Sequence, residues 1–597
     1  MEDDKPSRWH RLPKLSLDRQ SVSRRMRRAE GVTVRHARRF IFRRIDNMRE
    51  VRRHIVTWIV AVGVLIGATG MQLVWYQQNY RLDVPASGGT YAEAVLGPVS
   101  TLNPLYASST AEQSISNLVF SRLYDYDMTG NLRGDIAKSV AIDSTGKIYT
   151  VTIRDDAFWQ DGVKLTAKDV AFTVKLLQNS AVRSTITGWS NVSVTTGDEQ
   201  TISFTLPSVY AAFPHALTFP ILPEHLLSDA EPNSLRSDNY SAKPIGSGPF
   251  KLDFVQDIDV DSGRKIINLE RNDNYYKGSS KLDHFQLHVY PDRDSILKAL
   301  SVAEVNAASD LTAIDTLRVN SARYKINIAP TKSGVYALLN MSRDALKDRT
   351  VRQALEQGTD TETIRNQIPG GAPALDLPFV SGQISGDLPK SMPYNLDAAK
   401  KLLDDAGWIL DGAVRKKDGV ELKLKVVTTK DNDYENVLET LAGQWRKLGV
   451  LVDTSVLGSS DSSQGVVQNA LQQRDYDVLL YQLAIGADPD VYAYWHSSQA
   501  TSRGFNFSNY VNAVSDDALA SARSRLEPGL RNAKYLTFAR QWVNDIPAIG
   551  LFQSTVHYVS SKNVTTFNDK STLVTPLDRY ADVRYWSVGL KTVFKTP

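Results

Sequence analysis

Two carboxylates, Asp488 and Asp490, stand in the run GADPD at residues 486–490, directly after an apolar stretch, DVLLYQLAIG, that reads as a buried strand. The strand runs through Tyr481 and Gln482 into this loop, and in open α/β sheets ligands bind beyond the carboxyl ends of the strands. The loop is therefore the first candidate ligand site. Trp495 follows a few residues later, close enough to line the same cleft.

Other reactive side chains do not assemble into a known chemistry. HExxH, GxSxG and the phosphate-binding GxxxxGK[ST] are absent, and the chain has no cysteine, which removes disulfides, thiolate metal sites, a thiol nucleophile and a lipid-modified cysteine. His284 and His288 are four apart, but LDHFQLHVY alternates as a strand does, where that spacing separates them by ~13 Å. They cannot hold one ion, and His496, although close to Asp488 in sequence, is one histidine without the partners a metal site needs. Asp155–Asp156 and Asp404–Asp405 fall on a turn and a helix that solvate them. These residues assemble no catalytic constellation, so no enzyme activity, cofactor or metal is expected.

The elements that position the loop are legible from about residue 395 to 485. Helix NLDAAKKLLDDAGW, strand ELKLKVVTT, helix YENVLETLAGQWRKLG, strand VLVDTSVL, a helix near 464–473 and strand DVLLYQLAIG alternate with short links. Such alternation implies parallel strands joined by crossovers, an α/β lobe. Earlier, KIYTVTIR at 147–154 alternates with period two and Asp161–Gly162 makes a turn, so the region reads as a hairpin. Thr166 then opens helix LTAKDVAFTVKLLQ, with Asp169 at capping-box spacing.

Charge separates the N-terminal region from the rest. Residues 1–54 hold 17 Lys and Arg against 7 Asp and Glu, a net of +10, residues 55–80 carry no charge, and the remainder has a net of −6. The body is thus no nucleic-acid binder. The stretch IVTWIVAVGVLIGATGMQLVWY is long and apolar enough to span ~30 Å of hydrocarbon as a helix. Trp58 lies near one end and Trp75 and Tyr76 at the other, at interfacial positions, and the Arg-rich flank predicts a cytoplasmic N-terminus with an extracytoplasmic body. The alternative is a signal peptide cleaved after Ala68-Thr69-Gly70; a 54-residue basic lead exceeds an ordinary n-region, which favours a retained anchor. Gly63 and Gly67 have GxxxG spacing. Phe40, Ile41, Ile45 and Met48 alternate with arginines at roughly helical spacing, which fits either a basic amphipathic helix on anionic lipid or a solvated basic tail.

The stretch TIRDDAFWQDGVKLTAKDV at 152–170 resembles the signature of extracytoplasmic solute-binding protein family 5, the peptide- and nickel-binding receptors of ABC importers. Further matches follow in the family's order: STLNPLY at 100–106, IGSGPFKL at 245–252, LERNDNYYKG at 269–278, Asn340, TVRQALEQGTD at 350–360, DAAKKLLDDAGW at 397–408 and DIPAIGLF at 545–552. The similarity covers about residues 88–590.

The resemblance implies an α/β, two-lobed periplasmic-binding-protein-like fold of type II, with an extra subdomain inserted in lobe I and one transmembrane helix ahead of it. It divides the chain into a basic cytoplasmic arm at 1–54, a transmembrane helix at 55–78 and a linker at 79–87. Lobe I then takes 88–334 plus 554–597 with its insertion at about 129–227, and lobe II takes 335–553. It further implies a peptide ligand captured between the lobes and delivered to ABC permease subunits with a cytoplasmic ATPase. Asp488, with Asp490 as fallback, matches the position that pairs with a peptide's α-ammonium group, and the expected ligand wall comprises Asp488, Asp490, Tyr481, Gln482, Asn340 and Trp495. The alternatives are a membrane-tethered sensor or assembly protein on the same fold, or a receptor for a nickel complex or a sugar. The family often uses lipoproteins or soluble periplasmic proteins, and this chain departs from both in having no cysteine and a long basic arm.

Overall fold

The computed structural model describes residues 48–430, 432–458, 470–567 and 570–594. The basic arm before residue 48, with most of the amphipathic segment, lies outside the described residues, as does the helix expected near 464–473 apart from the helical residues 470–473. The chain divides into two compact units, Met1–Val84 with Thr592–Pro597, and Pro85–Lys591.

In the first unit the uncharged run is part of one 33-residue helix, Met48–Tyr80. By length and composition its stretch Arg52–Asn79 suffices to cross a membrane, and none of that stretch is buried. At ~1.5 Å per residue it exceeds the ~30 Å hydrocarbon thickness. Residues 79–87, expected as a linker, instead finish this helix and form a strand, Arg81–Pro85, which pairs with the C-terminal strand Leu590–Phe594. Thr592 donates to Asp83 at 2.7 Å across that pair. The partner is some 500 residues away in sequence, so no local pattern announces it.

The second unit has two lobes that share a ten-stranded sheet. Across the sheet the strands run Leu451–Leu457, Lys423–Thr429, Val478–Ala484, Tyr324–Leu339, Ala548–Ser561, Ala307–Leu311, Thr90–Leu96, His284–Tyr290, Arg264–Arg271 and Phe250–Asp259. Lys423–Thr429 is parallel to both of its neighbours, as the strand and helix alternation requires. Two long antiparallel strands, Tyr324–Leu339 and Ala548–Ser561, pass from one lobe to the other. Their pairing slips between Pro330 and Gly334 and again between Val335 and Tyr336. At this crossing Gln553 Nε2 donates to the Thr331 carbonyl at 2.8 Å and Thr331 Oγ1 to the Ser554 carbonyl at 3.2 Å.

Helices cover both faces of the second lobe. Arg349–Gln357, Leu396–Asp405 and Asn432–Arg446 pack around Trp445 and Leu441 on one face. Ala513–Arg523 and Pro528–Asp545 enclose Tyr336, Trp495, Phe538 and Trp542 on the other. In the first lobe an ion pair is sealed in the core: Arg579 and Glu93 have fully buried side chains and meet at 2.7 Å. Tyr558 and Tyr580 donate to the same carboxylate at 2.9 and 2.8 Å. Burial alone would lower the Arg579 pKa, but Glu93 holds it above its ordinary value.

The insertion forms its own four-stranded sheet, Ala137–Ile142, Ile148–Ile153, Thr201–Thr205 and Ser193–Thr196, around a core with Tyr149, Trp159 and Trp189. Within the expected 147–154 run, Ile148–Ile153 is strand, but it pairs with the strands on either side, and the Asp161–Gly162 turn closes only a small bridge between Phe158 and Lys164. Thr166 and Asp169 make the expected capping box on helix Ala167–Gln178. The resembling motifs lock this insertion to the lobe: Gln160 accepts from the Gly246 N–H at 2.9 Å and donates to the Phe250 carbonyl at 2.8 Å. Gly246 and Gly248 lie flat on the Val119 backbone, where any Cβ would collide.

Candidate functional site

Strand Val478–Ala484 ends where the chain must turn sharply, and Gly486 takes a φ of +84°, a conformation glycine adopts without steric penalty. Its N–H donates to the Lys332 carbonyl at 2.9 Å, which ties the Asp488 loop to the strand that joins the lobes. Gln383 Nε2 donates to the Gly486 carbonyl at 2.8 Å and secures the loop from the other side. The two carboxylates are thereby held at fixed points near the lobe junction.

Each carboxylate is met by an arginine from the helices of the second lobe. Asp488 accepts a fork from Arg531, Nη2 to Oδ1 at 2.7 Å and Nη1 to Oδ2 at 2.9 Å. Arg531 further donates to Tyr535 Oη at 3.2 Å and, through Nε, to the Ala522 carbonyl at 3.2 Å. Burial alone would lower its pKa, but the Asp488 carboxylate raises it above the ordinary arginine value. Asp490 Oδ2 accepts from Arg523 Nε at 2.9 Å. The Arg523 guanidinium lies over two tyrosine rings, 4.2 Å from the centroid of Tyr492 and 5.1 Å from that of Tyr210.

Tyr210 belongs to the insertion in the first lobe, so Arg523 touches both lobes. Beside it the Ala211 N–H donates to the Arg523 carbonyl at 3.0 Å. His215, also on the insertion, brings Nε2 to 4.0 Å from Asp488 Oδ2, while its Nδ1 lies 3.0 Å from Tyr126 Oη. Burial lowers the His215 pKa and outweighs the opposing pull of Asp488, so the ring is neutral at pH 7. Burial also raises the pKa of Tyr126, Tyr210 and Tyr535, which stay protonated hydrogen-bond donors.

The residues expected at the ligand wall divide sharply. Asp488 and Asp490 lie at the lobe junction. Tyr481 lies three residues before the strand end, its ring against Phe507 at 5.6 Å, and Gln482 accepts from Tyr434 at 2.6 Å. Asn340 is fully buried just past the distal end of strand Tyr324–Leu339, donating to the Tyr476 carbonyl at 3.0 Å and accepting from Ser342 and Asn509. Trp495 is sealed in the second-lobe core, edge-on to Trp542 at 5.6 Å and Tyr336 at 6.1 Å. The structure thus brings Asp488 and Asp490 together with Arg523, Arg531, Tyr126, Tyr210, Tyr492 and His215. Apart from Tyr492, these partners are tens to hundreds of residues away, and nothing in the local sequence marks them.

The arrangement offers two carboxylates paired with arginines, tyrosine hydroxyls and aromatic faces, groups able to hydrogen-bond and stack on a polar ligand. Among the described residues no group of three or more His, Cys, Asp or Glu side chains is placed to hold a metal ion. His288 is buried beside Glu304 at 3.5 Å, and His284 is exposed at the start of the same strand. A separate cavity of about 800 Å³ lies wholly within the second lobe, beside Glu356, whose carboxyl is pushed up to about 7 by burial. No first-lobe residue lines it, so it is not the cleft.

The family model for bacterial extracellular solute-binding proteins, family 5 Middle, matches residues 131–505. The oligopeptide-binding protein AppA of Bacillus subtilis is 28% identical over 499 residues, 80% of this chain and 89% of that one. The structure of AppA from Bacillus subtilis in complex with a nonapeptide superposes with a TM-score of 0.66 at 26% identity, covering 85% of this chain and all of the other. NikZ from Campylobacter jejuni in complex with Ni(L-His) superposes with a TM-score of 0.68 at 25% identity, covering 83% of this chain and 99% of the other.

Proposed function

Because the chain belongs to the bacterial extracellular solute-binding proteins of family 5, we propose that it captures di- or oligopeptides between its two lobes and hands them to the permease of an ABC importer. Helix Met48–Tyr80 holds it at the cell membrane, with the N-terminus cytoplasmic and the body outside. The observation that carries the peptide reading is the lobe junction itself. Hydroxyls, aromatic faces and paired charges from both lobes meet there, in a fold whose Bacillus subtilis relative holds a nonapeptide. Capture by closure follows from differential binding: a ligand touching both walls stabilises the closed arrangement over the open one. No bond is made or broken.

Native mass spectrometry of the full chain purified from membranes tests this directly. Peptide masses should co-purify, and a peptide pool should raise the melting temperature of ligand-stripped protein. A preparation that carries no peptide and whose melting temperature no peptide pool moves would refute the reading.

A further inference from the structure

The charges at the lobe junction are not equally accessible. The Asp490 and Asp488 side chains are 7% and 12% exposed, whereas Arg523 is 35% exposed. Both oxygens of Asp488 are already bonded to Arg531. An ammonium group brought to Asp488 must share it with a guanidinium at like-charge distance, in a setting with little water to screen them. His215, 27% exposed, offers a neutral ring and no negative charge.

Arg523 presents the opposite case. Only its Nε is engaged, by Asp490, and its two terminal nitrogens have no hydrogen-bond partner among the described residues. The guanidinium is oriented by contact with Tyr492 of the second lobe and Tyr210 of the first. Its unused edge is a planar fork of N–H donors, the geometry that binds a carboxylate through two parallel hydrogen bonds.

We propose that the ligand is anchored by a carboxylate group on the terminal nitrogens of Arg523, between Tyr210 and Tyr492, and that a free α-ammonium group at Asp488 is not required. The ligand class is then peptides with a free carboxyl end, blocked amino ends included. This rests on the reading of the chain as a peptide-capturing protein.

The test uses the full chain in detergent and synthetic random pentapeptide libraries without Asp, Glu or Lys, so that each peptide has one carboxylate and one amine. The libraries are prepared with both ends free, N-acetylated, C-amidated, or both, and retained peptide is quantified by mass spectrometry. Acetylation should change retention less than about threefold, and amidation should lower it at least about tenfold, which corresponds to one strong charge-assisted contact. Arg523→Gln should bring the free-acid library down to the amidated level, and Arg523→Lys should recover part of the difference. Loss on acetylation, or indifference to amidation, overturns the carboxylate anchor while the peptide reading stands. Retention of none of the four libraries overturns both. The wild-type comparison decides the matter even if Arg523→Gln fails to fold.

Discussion

Asp578 allows a prediction whose sign is set by burial. It lies at the first turn of the short helix Pro576–Tyr585, where Oδ2 accepts from the Thr575 N–H at 2.5 Å and the Thr575 hydroxyl at 3.1 Å. A negative charge at a helix N-terminus is ordinarily favourable. Here the residue is only 9% exposed, and burial, with Asp125 adding to it, overrides the Thr575 bonds and Arg122 and pushes the carboxyl from 3.8 up to about 6. A carboxyl with a raised folded pKa binds more protons folded than unfolded between those two values. Its contribution is fully present below pH 3.8 and is lost as pH rises through 6. The upper bound on that loss is roughly 3 kcal/mol.

Asp578→Asn keeps an oxygen for Thr575 and never ionises. The variant should therefore match the wild type at pH 4 and be up to ~3 kcal/mol more stable at pH 8. At ~2–4 °C per kcal/mol for a lobe of this size, the gain in melting temperature reaches about 6–12 °C. Melting the full chain in detergent from pH 4 to 8 gives the difference curve. Asp125, also raised by burial, is present in both proteins, and removing its neighbour's charge can only add to the variant's advantage at high pH. A difference that does not change with pH, or a wild type that gains on the variant as pH rises, would refute the dominance of burial over the cap.

In the first-lobe core, Arg579→Met leaves Glu93 buried beside two tyrosines and should cost ~3–5 kcal/mol in urea denaturation, while Glu93→Gln together with Arg579→Met should recover most of it. Gly246→Ala would place a Cβ 2.0 Å from the Val119 carbonyl oxygen, against backbone that cannot yield, and should abolish soluble folded protein. Gly162→Ala meets nothing within 4 Å and should cost only the ~1–2 kcal/mol of its left-handed backbone, read from the same denaturation curves. The full chain should stay in the membrane fraction through carbonate extraction and deletion of residues 1–80 should release it; a mature N-terminus that begins after Gly70 would show the helix to be a cleaved signal.

The parallel α/β region, the capping box at Thr166 and the strand around His284 were legible because each is written in a local period or spacing. The loop carrying Asp488 and Asp490 was legible for the same reason, since it follows from the direction of one strand. Asn340 and Trp495 were not, because sequence adjacency cannot say which way a side chain faces. Asn340 directly follows the far end of the long strand that joins the lobes, where its amide is bonded to backbone and polar neighbours. Trp495 follows the Asp488 loop but turns into the core against Trp542. Arg531 and Arg523 stand 43 and 33 residues from their carboxylates and read as ordinary helix-surface charges.

The motifs that carry the family resemblance and the residues that meet at the cleft are largely different, and the physical reason lies in what each must tolerate. Gln160 bonds the insertion to the Gly246 segment of the first lobe, Asn272 bonds the Gly248 carbonyl within that lobe, and Gly246 and Gly248 lie against the Val119 backbone, where a displaced atom has nowhere to go. Such contacts specify residue type almost completely, so they leave a readable signature. Tyr210, His215, Arg523 and Arg531 find their partners at the lobe junction, far away in the chain, so no local pattern marks them. The packing contacts therefore identify the architecture, while the side chains proposed to choose the ligand have neighbours that appear only once the two lobes meet. That division is why the reachable charge at the junction, Arg523, carries more about the ligand than the aspartates that the chain order brings forward.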